Sequence, residues 1–183
     1  MSRGLSEALA PVARVLAATK LSEVEAFEAT LLGARRIFVI GLGRTGLMAR
    51  GFAMRLMHLG RRVYHVGDVI TPAIRRGDLL VICSRTGQSP VLLHYVRIAQ
   101  KSGARVAVVT GVRASPVAKK ADVILHLPSE RVIKGAKGRA AEPPLGSVFE
   151  QALMLVFDQM VVHLMTVLGL TADDLRRIHT TFE

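Results

Sequence analysis

The sequence predicts an α/β fold, a parallel sheet with helices on both faces. Three observations carry that reading. Short runs that are apolar at nearly every position recur through the middle of the chain, as at residues 37–40 and 79–83. Such runs mark strands buried on both faces. Each is followed by a polar or glycine-rich turn and then by a stretch of helical length, and this alternation calls for right-handed crossovers between parallel neighbours. Third, 183 residues of half-hydrophobic composition suffice for one domain with a sizeable core.

Leu5, Leu9, Val12 and Leu16 recur at helical spacing and form one face of a first helix. Ser22 and Glu25 make a capping-box pattern for a second helix ending near Gly33. Residues 37–40 are the first strand, and Gly41-Leu42-Gly43-Arg44-Thr45-Gly46 turns the chain into a helix that Gly60 stops. Residues 63–66 form the second strand and Thr71-Pro72 a turn. The third strand, 79–83, leads through a polar loop to a helix from Pro90 to Gly103. Ser89 is its N-cap, and Pro90 suits the first helical position, where no N–H is needed. Residues 105–110 are the fourth strand, Ser115-Pro116 opens a short helix, and 123–127 are the fifth strand. Residues 128–146 read as a long loop, often a functional feature in a compact domain. Ser147 caps a long helix to about Leu168, and Thr171 caps a last one ending near His179. The expectation is a single domain over 1–183, with N-terminal helices in 1–33, a sheet core in 34–128 and C-terminal helices in 147–183.

Lys and Arg exceed Asp and Glu by 11, which favours an anionic partner. Nucleic acid is the weaker choice, because the arginines are spread out and only 4% of residues are aromatic. The pairs Arg35-Arg36, Arg61-Arg62, Arg75-Arg76 and Arg176-Arg177 read as solvated. Cys83 is the single cysteine, which excludes an intrachain disulfide, and no Cys/His spacing points to zinc. Its place in an apolar strand makes it a small core residue. With no signal-peptide pattern, a cytoplasmic location is expected. Residues 148–170 are the most apolar stretch but carry Glu150, Asp158 and His163, so they read as buried in protein.

Ligands of such sheets bind beyond the carboxyl ends of the strands. Two loops lie there. Loop 84–89, Ser84-Arg85-Thr86-Gly87-Gln88-Ser89, offers three hydroxyls and a cation and ends on a helix N-terminus, where free N–H groups favour an anion. It reads equally as a phosphate cradle and as an ordinary capped turn. The loop Gly41-x-Gly43-x-x-Gly46 fits a dinucleotide fingerprint, with Asp68 about twenty residues further on as the ribose acid. Arg44 inside the loop, and the lack of room for a second catalytic domain, weigh toward two loops converging on a sugar phosphate.

The motif Gly41-Leu-Gly-Arg44-Thr45-Gly46, with Phe52-Ala-Met-Arg55-Leu-Met-His58-Leu-Gly60, resembles the 6-phospho-3-hexuloisomerase family of the sugar isomerase (SIS) domain superfamily. The resemblance continues through Thr71-Pro72-Ala-Ile, Gly77-Asp78-Leu-Leu, Pro144-Leu-Gly-Ser-Val-Phe-Glu150, Gly169-Leu and Arg177-Ile-His179. It implies a three-layer α-β-α sandwich with a five-stranded flavodoxin-like sheet, and a homotetramer with sites near subunit interfaces. It implies interconversion of 3-hexulose 6-phosphate and fructose 6-phosphate, as in the ribulose monophosphate pathway of formaldehyde assimilation, with no metal and no nucleotide cofactor. Relatives read Ser-Gly-Ser-Gly-Glu-Thr in the phosphate loop. Every hydroxyl position is kept here, so phosphate binding carries over to Ser84, Thr86 and Ser89. Arg85 and Gln88 depart from the pattern: Arg85 can pair with the phosphate or block it, and Gln88 cannot serve as a base.

Moving a carbonyl between adjacent carbons needs a base for a proton shuttle through an enediol and an acid or relay for the oxygens. Glu150 is the proposed base; Ser147-x-x-Glu150 is also a capping box, which leaves a purely structural role open. His58 is a candidate for ring opening or oxygen proton transfer, and His179 is its rival, within reach of a neighbouring subunit. Gly43, Arg44 and Thr45 are candidates to contact sugar hydroxyls or phosphate, or are turn residues. His65, His94, His126 and His163 read as surface or packing residues, and Met48, Met54 and Met57 as core. The long C-terminal helix is apolar almost all round, which calls for a second burial partner such as another subunit. The alternative function is a non-catalytic sugar-phosphate-binding SIS protein, or an SIS isomerase for another phosphosugar.

Overall fold

The computed structural model describes residues 9–128 and 147–182. In chain order the elements are α1 (Leu9–Ala17), α2 (Leu21–Gly33), β1 (Ile37–Gly41), α3 (Gly43–His58), β2 (Val63–His65) and β3 (Leu79–Ser84). Then come α4 (Pro90–Lys101), β4 (Arg105–Thr110), a 3-10 turn (Ala118–Lys120), β5 (Val123–His126), α5 (Ser147–Leu168) and α6 (Ala172–Ile178). The five strands lie in the order β2-β1-β3-β4-β5 and every pair is parallel. That is the flavodoxin-like order, which reverses direction between β1 and β3. The long stretch at 129–146, predicted as a loop, lies outside the described residues, as does Leu5.

β1 and β3 are buried at every position, as their unbroken apolar runs require. One face of the sheet, with Val39, Val81, Cys83, Ala107, Val109 and Leu125, packs against α1, α2, α3 and α5. The other, with Phe38, Ile40, Leu80, Ile82, Val106 and Val108, packs against α4 and Val117. Phe52 of α3 stacks on Phe157 of α5 with ring centroids 3.8 Å apart. Truncating a buried aromatic of this kind costs about 3–5 kcal/mol, so this stack holds α5 to the domain. By length and composition α5 could cross a bilayer. Here Phe149, Leu153, Phe157, Met160 and Leu164 bury it against the protein.

At the amino ends of the strands, Arg36 Nε donates to Asp78 Oδ1 (3.0 Å) and its Nη2 to Oδ2 (2.6 Å), and the Arg75 N–H donates to Oδ2 (2.8 Å). Burial alone would raise the Asp78 pKa, but Arg36, the Arg75 N–H and Arg35 outweigh it and hold the carboxyl below its usual range. This staple ties the start of β1 to the start of β3. Arg61 Nη2 donates to the carbonyls of Leu31, Leu32 and Ala34 and so closes the C-terminal end of α2. Arg36 and Arg61 therefore are structural donors rather than solvated charges.

Three further expectations are corrected. Ser22 is not an N-cap: α2 begins at Leu21 behind Lys20, which makes no side-chain cap, so Ser22 lies inside the first turn. On α1 the buried residues are Val12 and Val15 while Leu9 is exposed, because the face that meets α5 is rotated from the predicted stripe. Met54 and Met57 fit the helical period but lie on the outer side of α3, exposed. Leu155 of α5 is also exposed, with Met154, Val162 and Val167. Among the described residues α5 is thus buried on one side and keeps a bare apolar face, the side for which the sequence calls for a second burial partner.

Candidate functional site

Gly41 and Cys83 are register partners on adjacent strands, so the loops that follow them leave the sheet side by side, about 4.8 Å apart at the root. The first turn is tight: a Cβ on Gly46 would stand 2.6 Å from the Gly41 carbonyl oxygen. Only two glycines let β1 and the start of α3 approach so closely.

α3 then presents Arg44 and Thr45 to the first turn of α5. The Thr45 hydroxyl donates to Glu150 Oε1 at 3.1 Å, and Arg44 Nε lies 2.8 Å from Oε2. Glu150 is buried (6% exposed), whereas the Arg44 side chain is half exposed. The Arg44 contact brings charge but not an aligned hydrogen bond, so Oε2 is buried without an aligned donor. Among the described residues, Glu150 Oε2 thus has the Arg44 charge beside it but no hydrogen bond of its own.

Loop 84–89 holds its shape from within and from behind. The Gly87 N–H donates to the Ser84 hydroxyl (3.1 Å), and the Leu92 N–H to the Ser89 hydroxyl (3.5 Å), the predicted N-cap. Gly87 has φ +59°, and a Cβ there would lie 2.1 Å from Ser115 Oγ, so a glycine is required on both counts. Behind it, the Gly111 N–H donates to the Arg85 carbonyl (3.0 Å) and the Val117 N–H to the Gly87 carbonyl (3.2 Å). The Thr110 hydroxyl donates to the Arg85 carbonyl at 3.4 Å, and the buried Ser115 hydroxyl accepts from the Ala118 N–H. Thr86 and Gln88 are exposed, and Arg85 and Ser89 are half-buried. Thr110 and Ser115 were not predicted as site residues; the signal was the strand-end threonine and a serine capping the short helix.

The N-termini of α3, α4 and α5 all come to this edge, and each favours a negative charge. Together with Arg44 and Arg85 they outweigh Glu150, which suits a phosphate. The opposite edge holds a cavity of about 290 Å³ among Gly33, Arg76, Gly77, Gly103 and Arg105. The C-terminal ends of α2 and α4 face that edge, and their partial negative charge is complementary to its arginines.

The structure does not bring every predicted residue together within one chain. His58 is buried at the C-terminal end of α3 and stacks on His179, with ring centroids 5.0 Å apart. The helix rise from Arg44 to His58 is roughly 21 Å, which separates this pair from Glu150. Asp68, the acid of the dinucleotide reading, accepts from Arg50 Nη2 at 3.0 Å. His65 and His126 are held toward the neutral form chiefly by burial. Burial likewise pushes the Cys83 thiol up, in keeping with a core role.

Residues 30–155 match the SIS domain family model. The 3-hexulose-6-phosphate isomerase of Bacillus subtilis is 36% identical over 153 residues, covering 84% of this chain and 83% of the relative. That of Methylomonas aminofaciens is 34% identical over 150 residues, 82% of each chain. A crystal structure from Methanococcus jannaschii, for which a 3-hexulose-6-phosphate isomerase function was inferred, superposes with a TM-score of 0.84 at 25% identity, over 97% of this chain and 99% of the other. The chain belongs to the SIS-domain family and, within it, to the 3-hexulose-6-phosphate isomerases.

Proposed function

We propose that this chain interconverts 3-hexulose 6-phosphate and fructose 6-phosphate through an enediol, with Glu150 as the base. The observation that carries this is the buried Glu150 carboxylate, set by Thr45 and Arg44 of α3 at the sheet's switch point, where the loops after β1 and β3 leave side by side. In this reading Ser84, Thr86, Ser89 and the N–H groups opening α4 hold the phosphate, and Arg85 adds charge from its half-buried position. Glu150 takes the proton from one carbon and returns it to its neighbour. Arg44 and Thr45 orient the carboxylate, and Arg44 also stabilises negative charge on the enediol oxygens. Gly43 leaves the backbone open to the sugar, since nothing lies within 4 Å of a Cβ built there. Gln88, where relatives carry a carboxylate, orients hydroxyls by its amide.

The proposal extends to a homotetramer with sites near subunit interfaces. Leu47, Met54 and Met57 of α3 and Met154, Leu155 and Val162 of α5 are exposed apolar residues that a second subunit would cover. His58 and His179, remote from Glu150 in their own chain, would relay oxygen protons in a neighbour's site. A cytoplasmic place in formaldehyde assimilation goes with this substrate and with the free Cys83.

A coupled assay for fructose 6-phosphate, fed 3-hexulose 6-phosphate made in situ, tests the reading. Turnover well above background is expected. Arg85 and Gln88 favour one second reading, a sugar-phosphate sensor without chemistry. Thermal stabilisation by fructose 6-phosphate with no turnover would establish that reading instead.

A further inference from the structure

We infer that Glu23 of α2 and Arg113 of the β4 loop are positioning residues that set phosphate affinity from outside the site. The inference rests on loop 84–89 holding the substrate's phosphate, as proposed above. That loop leans on the segment after β4, through Gly111 to Arg85, Val117 to Gly87 and Ser115 against Gly87. The segment is in turn held at two points. The Arg113 guanidinium donates to Glu23 Oε1, and His126 Nε2 lies 3.2 Å from the Gly111 carbonyl, which can only accept. Glu23 joins the two, because its Oε2 accepts from the backbone N–H of His126 at 2.9 Å. One carboxylate, 15% exposed, thus braces the loop that backs the phosphate cradle. A rigid backing keeps the Gly87 and α4 N–H groups aimed at one point, and a loosened one spends binding free energy on reordering them.

The test compares Glu23→Gln, Arg113→Gln and their double variant with wild type. Each single change is expected to raise KM about three- to tenfold while kcat stays within about twofold, as for loss of a partly exposed charge-assisted pair. The double variant is expected to be no worse than the weaker single, since the two act as one unit. Arg113→Lys, which keeps the charge, is expected to restore part of the affinity. Hydrogen exchange at the Gly87 and Gly111 amides gives a readout independent of turnover: both should exchange faster in the variants, and inorganic phosphate should protect them best in wild type. Unchanged KM and unchanged exchange, or effects that multiply in the double variant, would overturn the brace. Should wild type show no isomerase turnover, the functional reading falls while amide exchange with inorganic phosphate still decides the brace.

Discussion

Gly87→Ala is the sharpest perturbation of the phosphate loop. Two costs add at this position. A φ of +59° puts an alanine in the left-handed region, at about 1–2 kcal/mol. The new Cβ would also meet Ser115 Oγ at 2.1 Å and Ser115 Cβ at 2.5 Å. The hydroxyl can rotate away, but the Ser115 Cβ is fixed to the backbone, so the two loops must part; overpacking of this kind costs about 1–3 kcal/mol. The total is about 2–5 kcal/mol. Gly60→Ala isolates the first cost, because Gly60 has φ +75° and open space around its Cβ. Urea unfolding of both variants gives the stability difference, and fructose 6-phosphate titration gives the effect on the site. Gly87→Ala should lose at least about 1 kcal/mol more than Gly60→Ala and, because the parted loops must be drawn back together around the phosphate, bind at least about fivefold more weakly than wild type, about 1 kcal/mol being a factor of five. Equal stabilities with unchanged affinity would refute the role given to Gly87 and Ser115.

Two further outcomes concern the frame. Asp78→Ala removes the buried partner of Arg36 and should destabilise by about 3 kcal/mol, the low end for a broken buried pair, because Arg36 keeps the Ala73 carbonyl. The Asp78 carboxyl is held below its usual range, so its stabilisation is full above that range and lost as pH falls through the folded value. Chemical denaturation across acid pH should show the gap between wild type and variant closing. His65 and His126 are shifted down, mainly by burial, from the ordinary 6.5. Their contribution is complete above that value and lost as pH falls through the lower folded values, so Tm should hold at neutral pH and drop on acidification; a Tm that rises toward acid would contradict the shifts.

What was legible was local. The apolar runs of β1 and β3, the Ser89 cap and the glycines of the first turn each carry their signal within a few residues. Met54 and Met57 show the limit of periodicity, which gives a helix a face but not the side that meets the domain. Ser22 fails as a cap because α2 begins two residues earlier than the pattern implies, behind Lys20. Glu23, Arg113 and His126 are unremarkable alone and meet only when α2, the β4 loop and β5 converge, across 90 and 103 residues of chain. Glu150 lies between these cases: its capping pattern is local, while the partners that hold its carboxylate, Thr45 and Arg44, come from 105 residues away for Thr45 and from the same turn of α3 for Arg44. The separation of His58 from Glu150 follows from the direction of α3, which returns from the carboxyl edge of the sheet to its amino edge.

The most direct test is Glu150→Gln, with turnover and fructose 6-phosphate binding measured on the same preparation. The amide keeps the shape and still accepts from Thr45 but cannot take up a proton. The account predicts that kcat falls by about 10²–10⁴, the usual worth of a general base, with affinity and Tm close to wild type. Turnover within about tenfold of wild type would remove Glu150 from the chemistry and return it to the role of a helix cap.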